Sequence, residues 1–128
     1  MYPGAVPIVA VGIDLVSLQR LAKVYHAHPH RFLERHFAPQ ELEYCLALSD
    51  PLPSLAARFA AKEAFRKCWS HPLAWRSVWV DRQEGVPRYG FAPELAEELR
   101  KRRLFAHLSL AHEREYALAL AVLEELPG

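Results

Sequence analysis

The composition of this 128-residue chain, 52% hydrophobic and 24% charged, is that of an ordinary globular domain and excludes the disordered and collagen-like classes. A net charge of +1 and a pI near 7.9 exclude the overall basic field that is typical of nucleic-acid-binding proteins. The order of its elements predicts an α+β fold, in which a small antiparallel β-sheet packs against several α-helices in a single domain spanning 1–128.

The first half of the chain predicts one strand followed by helical segments. In order, these are a strand at 8–13, a helix at 15–25, a short helix or turn at 31–36, a helix from Pro39 that ends at 49–53, and a helix at 55–68. β-branched residues favour the strand, and apolar residues at helical spacing favour the helices. Ser54 is expected to cap the last helix. The helix from Pro39 is expected to bury Leu42, Cys45, Leu46 and Leu48.

The second half of the chain predicts a hairpin, a helix and two further strands. In order, these are a loop at 69–75, strands at 77–82 and 88–91 joined by a turn at 83–87, a helix at 92–103, and strands at 107–112 and 117–125. Polar and apolar residues alternate at 107–112, which is typical of a half-buried strand. Small and large apolar residues alternate at 117–125, which predicts a strand buried on both faces.

The two cysteines, Cys45 and Cys68, lack metal-ligand spacing. We therefore expect buried thiols in a reducing compartment. The chain shows neither a signal-peptide pattern nor an apolar run long enough to span a bilayer, so we predict a cytoplasmic protein without a membrane partner.

The segment 58–67, RFAAKEAFRK, combines acid and base at helical spacing among apolar residues. Glu63, Arg66 and Lys67 stand at i, i+3 and i+4, so they share one edge beside an apolar face that includes Ala61 and Phe65. The alternative is an exposed helix with a routine Glu–Lys pair, which stabilises a helix by only ~0.2–0.5 kcal/mol. The segment by itself does not decide between a site and a surface pair.

Asp14 is a second candidate, because a carboxylate between a strand and a helix can face a cleft. The alternative is an N-cap that accepts a backbone amide. If Asp14 and Glu63 converge, two carboxylates would suit Mg²⁺, which keeps several waters and takes phosphate oxygens as further ligands.

His107, Ser109 and His112 form a third group. In a strand, His107 and Ser109 point to one face and His112 to the other. No G-x-S-x-G turn surrounds Ser109, so a serine hydrolase is disfavoured, and structural histidines are the alternative.

Basic residues cluster in two places. A run at 100–103, RKRR, fits the last turn of a helix better than a phosphate or nucleic-acid site. Arg20, Lys23, Arg31 and Arg35 form an earlier scattered stretch, which would suit an acidic protein partner or a phosphorylated ligand as well as a solvated face.

Several blocks together resemble the holo-acyl-carrier-protein synthases, a family of 4'-phosphopantetheinyl transferases. The blocks are VGIDLV at 11–16, RFLER at 31–35, APQEL at 38–42, RFAAKEAFRK at 58–67, GVP at 85–87 and HLSLAHEREYA at 107–117. Their order and spacing agree with the family over nearly the whole chain.

The resemblance implies an enzyme that moves the 4'-phosphopantetheine arm from coenzyme A to a serine of apo acyl carrier protein. The carboxylates matching Asp14 and Glu63 would hold Mg²⁺ on the coenzyme A pyrophosphate. The base would be Glu63 or a water on the metal. The remaining implied site residues are Lys67 and His112 near the reaction centre, Arg58, Lys67, His107 and Ser109 for coenzyme A, and Arg20, Arg31 and Arg35 for the acidic carrier protein.

The resemblance also implies a homotrimer with sites between subunits. One segment departs from the family, since CWSHP at 68–72 stands where relatives carry a glycine-threonine-glycine turn. A trimeric coenzyme-A-binding relative without transfer activity is therefore one alternative to the transferase. A small nucleic-acid-binding domain that uses the basic residues is a second, which the near-neutral charge disfavours, so we predict no nucleic-acid partner.

Overall fold

The computed structural model describes residues 7–83 and 85–128, in which strands and helices are interspersed along the chain. In chain order the elements are β1 (Ile8–Ser17), α1 (Leu18–Ala27), α2 (Pro29–His36), α3 (Pro39–Leu46), α4 (Leu52–Cys68), a 3-10 turn (Trp75–Ser77), β2 (Val78–Gln83), β3 (Val86–Phe91), α5 (Pro93–Lys101), β4 (Leu104–His112) and β5 (Tyr116–Glu125). The predicted α+β fold is confirmed. The extent of the single domain, 1–128, stays a prediction.

The larger sheet has the strand order β1-β5-β4, and both neighbouring pairs are antiparallel. The central strand β5 turns Ala117, Ala119, Ala121 and Leu123 toward the core, where all four are buried. On its other face, Leu120 is 37% exposed. The prediction that this strand is buried on both faces is therefore wrong for the single chain, because the helices within 7–83 and 85–128 cover one face of the sheet and leave the other open.

The hairpin β2–β3 forms a separate two-stranded sheet. Its strands pair from Val78↔Phe91 to Gln83↔Val86, so the connection is shorter than the predicted turn at 83–87. Gly85 lies in this connection with a φ of +80°, a conformation that favours glycine. The hydroxyl of Tyr89 donates to the carbonyl oxygen of Ala61 at 2.5 Å, which ties the hairpin to α4.

The start of α4 differs from the prediction. The helix begins at Leu52, whose backbone N–H donates to the carboxylate of Asp50 at 3.2 Å. Ser54 therefore lies inside the first turn and is not the cap. Its hydroxyl instead accepts from the guanidinium of Arg58.

The burial predicted along α3 is partly wrong. Cys45 is buried, but Leu46 is 49% exposed and Leu48 is 38% exposed. Glu41 takes the inward position, because its carboxylate accepts the backbone N–H groups of Ala38 and Val80, both at 3.0 Å. A buried carboxylate is tolerated when its oxygens are hydrogen-bonded.

Two further predictions concern the thiols and membranes. Cys45 is buried and Cys68 is half-buried, and both are free thiols. Within 7–83 and 85–128, the helices are too short or too polar to cross a membrane.

Candidate active site

The close approach of α4 to β1 brings the candidate residues together. A Cβ atom added to Gly12 would lie 2.0 Å from the carbonyl oxygen of Ala64, so only glycine allows this separation. Ala60, Ala61 and Ala64 are fully buried on the same side of α4. Small residues on both elements therefore let the helix axis lie close to the strand.

Asp14 lies within β1 and not at its end. The strand continues to Ser17, and the hydroxyl of Ser17 accepts the backbone N–H of Arg20 at 3.2 Å. The predicted strand end at 13 and the alternative of Asp14 as an N-cap are both wrong. Asp14 pairs with the buried Ala119 of β5, so its side chain shares the sheet face on which α4 packs.

Lys67 connects α4 to β1 beside Asp14. Its Nζ atom lies 3.3 Å from Oδ1 of Asp14 and donates to the carbonyl oxygen of Ile13 at 2.6 Å. The lysine side chain is 53% exposed and that of Asp14 only 17% exposed. The cation therefore lies at the mouth of the site and the carboxylate lies deeper.

Glu63 lies next to this pair, one helical turn before Lys67. Burial raises the pKa of Glu63, and the negative charge of Asp14 raises it further. Burial also raises the pKa of Asp14, although the hydrogen bond and the charge of Lys67 oppose that shift. The structure thus brings Asp14, Glu63 and Lys67 together, with the two carboxylates close enough for their charges to interact.

The Glu–Lys surface pair that was the alternative to a site at 58–67 is replaced by a Glu–Arg pair. Glu63 pairs with Arg66, not Lys67, at 3.5 Å between Oε1 and Nε. Lys67 instead reaches 53 residues back to Asp14. A tertiary contact therefore replaces the local Glu–Lys pair.

His107 and Ser109 lie on the opposite face of the sheet from Asp14. As predicted, they share one face of β4, because they pair with Val122 and Leu120 on the open side of β5. Nε2 of His107 lies 2.8 Å from Oε1 of Glu124. Within one chain, the sheet itself separates these two residues from Asp14 and Glu63.

His112 falls on the other face of β4, as predicted. It pairs with Ala117, so it lies on the same sheet face as Asp14. The two are on different edge strands, however, with β5 between them. His112 is exposed at the end of its strand.

Arg58 is only 4% exposed and lies inside the fold. Its guanidinium donates to Ser54 and lies 4.7 Å from the ring centroid of Tyr44. These contacts give Arg58 a structural role, and the structure does not bring it to the carboxylate pair.

Lys62 and Glu41 form a buried pair that was not predicted from the sequence. Lys62 Nζ lies 2.6 Å from Glu41 Oε1, and it also donates to the carbonyl oxygens of Trp75 and Val78. Burial lowers the pKa of Lys62, while the charge of Glu41 opposes that shift. The sequence feature that could have indicated this pair is the position of Lys62 beside Ala61 on the apolar side of α4.

The predicted carrier-docking residues Arg20, Arg31 and Arg35 are exposed on the consecutive helices α1 and α2. Two residues of the other basic run, at 100–103, pair with carboxylates of their own helix. Arg100 pairs with Glu97 at 2.5 Å and Arg102 with Glu98 at 2.9 Å. The pairs of Arg100 and Arg102 agree with the prediction of a solvated helix end, although α5 ends at Lys101 and not at 103.

A groove of about 740 Å³ lies between β3, α5 and β4. Its basic lining residues are Arg88, Arg100, Arg103 and His107. Apolar residues such as Phe105 and Leu108 complete its walls. A groove with this lining can hold a ligand that joins an aromatic ring to phosphate groups.

Known proteins that are similar to this chain in sequence and fold include holo-acyl-carrier-protein synthases. The family described as the 4'-phosphopantetheinyl transferase superfamily matches residues 10–121. A holo-acyl-carrier-protein synthase of Thermus thermophilus is 50% identical over 117 residues, which are 91% of this chain and 94% of the relative. The crystal structure of a holo-acyl-carrier-protein synthase from Neisseria meningitidis has a TM-score of 0.85 at 30% identity, covering 91% of this chain and 98% of that one.

A second solved structure carries a ligand. The holo-acyl-carrier-protein synthase of Bacillus anthracis, in complex with CoA (3',5'-ADP), has a TM-score of 0.79 at 27% identity and covers 94% of this chain and 100% of that one. The resemblance found in the sequence is confirmed, and with it the prediction of a transferase. This chain belongs to the 4'-phosphopantetheinyl transferase superfamily, among the holo-acyl-carrier-protein synthases.

Proposed function

We propose that this chain moves the 4'-phosphopantetheine arm of coenzyme A to a serine of apo acyl carrier protein at a site built around Asp14, Glu63 and Lys67. The observation that carries this proposal is the convergence of two partly buried carboxylates and one cation from β1 and α4. The serine oxygen would form a bond to the phosphorus that carries the pantetheine arm. The bond from that phosphorus to 3',5'-ADP would break, and the serine proton would pass to a base.

The donor set of Asp14 and Glu63 fits Mg²⁺. Carboxylate oxygens are its preferred protein ligands, and it usually takes only one or two of them, with water and substrate phosphates in the remaining positions. Within 7–83 and 85–128, no group of three or more histidine, cysteine, aspartate or glutamate side chains could hold a metal ion. A bound Mg²⁺ would offset the negative charge of the pyrophosphate and of the leaving group.

Glu63 and Lys67 have distinct proposed tasks. Either Glu63 or a water on the metal is proposed as the base for the serine proton, and such help contributes ~10²–10⁴ in rate. The exposed ammonium of Lys67 can donate to a phosphate oxygen, for which it would leave Asp14 and the carbonyl oxygen of Ile13.

The open face of the sheet supports a homotrimer. Val9, Val11, Ile13 and Leu15 on β1 are each more than half exposed, and they form an apolar strip that continues across β5. A patch of this kind marks an interaction surface. His107 and Ser109 lie on the same open face, so a subunit packed there would bring its own residues toward them, as the prediction of sites between subunits requires.

Coenzyme A is proposed to occupy the basic groove between β3, α5 and β4 of one subunit and to reach Asp14 and Glu63 of a neighbouring subunit of the proposed trimer. Arg88, Arg103 and His107 would contact its phosphates, and the apolar wall would contact the adenine ring. Ser109 and His112 keep their predicted roles, Ser109 in binding coenzyme A and His112 near the reaction centre of an assembled trimer. Arg58 is not included in the site, because its guanidinium is engaged inside the fold.

The exposed arginines of α1 and α2 are proposed to dock the acidic carrier protein. Arg20 lies near the start of α1, which begins where β1, the strand of Asp14, ends. Arg31 and Arg35 are one turn apart on α2. Charges of one sign on one surface attract and orient a partner of opposite charge.

The test is mass spectrometry of apo acyl carrier protein incubated with this chain, coenzyme A and Mg²⁺. We expect a gain equal to one phosphopantetheine arm and the release of 3',5'-ADP. The segment 68–72, which differs from the family's turn, favours one alternative, a trimer that binds coenzyme A without transfer. A stable trimer with no mass gain would support that alternative.

The free thiols Cys45 and Cys68 support the proposed cytoplasmic location.

A further inference from the structure

Arg66 connects the candidate metal site to the segment that follows α4. Its Nε atom lies 3.5 Å from Oε1 of Glu63, and its Nη1 atom donates to the carbonyl oxygen of Leu73 at 3.1 Å. Its guanidinium carbon also lies 4.3 Å from the ring centroid of Trp75. A single side chain thus contacts a proposed metal ligand and two residues of the downstream segment.

Trp75 is itself held in place by aromatic contacts. Its ring stacks on Phe59 with a centroid distance of 5.1 Å and an interplanar angle of 21°. The ring of His36 meets it edge-on at 4.8 Å. Because Phe59 lies on α4 and His36 on α2, the position of Trp75 is fixed from two elements, and a planar guanidinium on its ring has little freedom to rotate.

We propose that Arg66 is a positioning residue that orients the carboxylate of Glu63, and that Trp75 and the carbonyl oxygen of Leu73 hold Arg66 in place. The proposal rests on the function proposed above, in which Glu63 binds the metal ion. Two carboxylates that share a site repel each other, so a guanidinium beside one of them restrains its rotamer and offsets part of that repulsion. The geometry also gives the segment 69–75 a role in the site, because Trp75 holds Arg66 and Arg66 orients Glu63.

The test measures metal binding directly. Mn²⁺, as a paramagnetic substitute for Mg²⁺, is titrated into the trimer in the presence of coenzyme A and without carrier protein, and free Mn²⁺ is followed by electron paramagnetic resonance. Arg66→Gln and Trp75→Leu are expected to raise the half-saturating Mn²⁺ concentration ~10–100-fold, which is typical of lost outer-shell partners of a metal ligand. Arg66→Lys keeps the charge but loses the planar fork, so it is expected to fall between Arg66→Gln and the wild type.

Arg76→Gln is the matched control, because Arg76 is an exposed neighbour of Trp75. It should bind Mn²⁺ as the wild type does. Circular dichroism would verify that each variant is folded, and if Trp75→Leu fails to fold, the two Arg66 variants still decide. The affinity for coenzyme A at saturating metal should change less than about twofold in the Arg66 variants, since a residue that only orients Glu63 leaves the phosphate contacts intact.

Two results would overturn the positioning role. One is an Arg66→Gln variant with wild-type Mn²⁺ binding. The other is a variant with normal Mn²⁺ binding but weakened coenzyme A binding, which would make Arg66 a phosphate ligand. A failure of the proposed function itself would differ, because Mn²⁺ would then bind no better to the wild type than to Asp14→Asn.

Discussion

Lys62 and Glu41 form an ion pair in the interior of the fold, with 2.6 Å between Nζ and Oε1 and side chains that are 1% and 0% exposed. The pair joins α4 to α3, and through the backbone N–H of Val80 it joins both to β2. Lys62 precedes Glu63 directly, so the helix turns one charge into the core and the next toward the candidate site. Glu63 of the candidate site therefore lies on a helix that this pair anchors.

Breaking the buried pair should destabilise the protein strongly. Glu41→Gln leaves the ammonium of Lys62 buried without a counter-charge, and we expect a loss of ~3–5 kcal/mol in the free energy of unfolding. Urea denaturation would measure it. Glu43→Gln, on the exposed side of α3, is the control and should change the value by less than about 0.5 kcal/mol. Equal losses in the two variants would contradict the buried-pair assignment.

Removing either candidate metal ligand should abolish most turnover without unfolding the protein. Asp14→Asn and Glu63→Gln are each expected to lower Mg²⁺-dependent transfer more than ~100-fold, because a metal supplies several kcal/mol of charge stabilisation. Burial and Asp14 both raise the pKa of Glu63, so the ionised group disfavours folding at neutral pH. Glu63→Gln should therefore melt no lower than the wild type in metal-free buffer. Wild-type transfer rates in either variant would refute the assignment.

Reversing charge on α1 and α2 should weaken carrier binding alone. Arg31→Glu with Arg35→Glu is expected to raise KM for acyl carrier protein by at least tenfold at low salt, and to leave KM for coenzyme A within about twofold. The effect should shrink as ionic strength rises. Lys101→Glu reverses one exposed charge on α5 and should leave carrier KM unchanged. Equal shifts in both KM values would contradict a docking role.

Placing a charge on the open face of the sheet should dissociate the trimer. Val11 is 57% exposed in the single chain, and Val11→Asp would bury an unpaired carboxylate in the proposed interface, which is costly. Light scattering coupled to size-exclusion chromatography should report a monomer, with loss of transfer in parallel. Leu46→Asp, at a 49% exposed position of α3, should remain a trimer. A trimeric Val11→Asp would place the interface elsewhere.

Stability should fall below about pH 6.5 because of His36. Burial lowers the pKa of His36 below its ordinary value of 6.5. The hydrogen bond to the carbonyl oxygen of Phe32 opposes this shift, and nearby positive charges, among them Arg35 and Lys62, add to it. The unfolded chain then binds the proton more readily than the folded one, so stability is present above that value and is lost as pH falls toward the folded pKa. Thermal unfolding from pH 5 to 7.5 would show it. His36→Phe should flatten the profile, whereas His30→Phe, at an exposed position of α2, should not.

Local patterns predicted much of this fold correctly. The spacing within 58–67 placed Ala61, Ala64 and Phe65 on a buried side and Glu63 with Arg66 on one edge, because helical periodicity depends only on near neighbours. The faces of His107, Ser109 and His112 followed from the period of a strand in the same way. Element ends were less predictable, since β1 continues past Asp14 to Ser17 through pairing with the distant β5.

The sequence by itself determined which residue types carry the chemistry and, through matching blocks on both sides of the 58–67 segment, which family the chain belongs to. The tertiary structure alone decided which partner each of these charged side chains contacts. Lys67 pairs with Asp14 and not with Glu63, and Glu63 pairs with Arg66. Arg58 and Lys62 lie in the interior, where they contact Ser54 and Glu41. The physical reason is that a charged side chain pairs with the partner that distance and burial allow. Lys67 reaches Asp14 because α4 lies close to Gly12 of β1, a contact that no local spacing encodes.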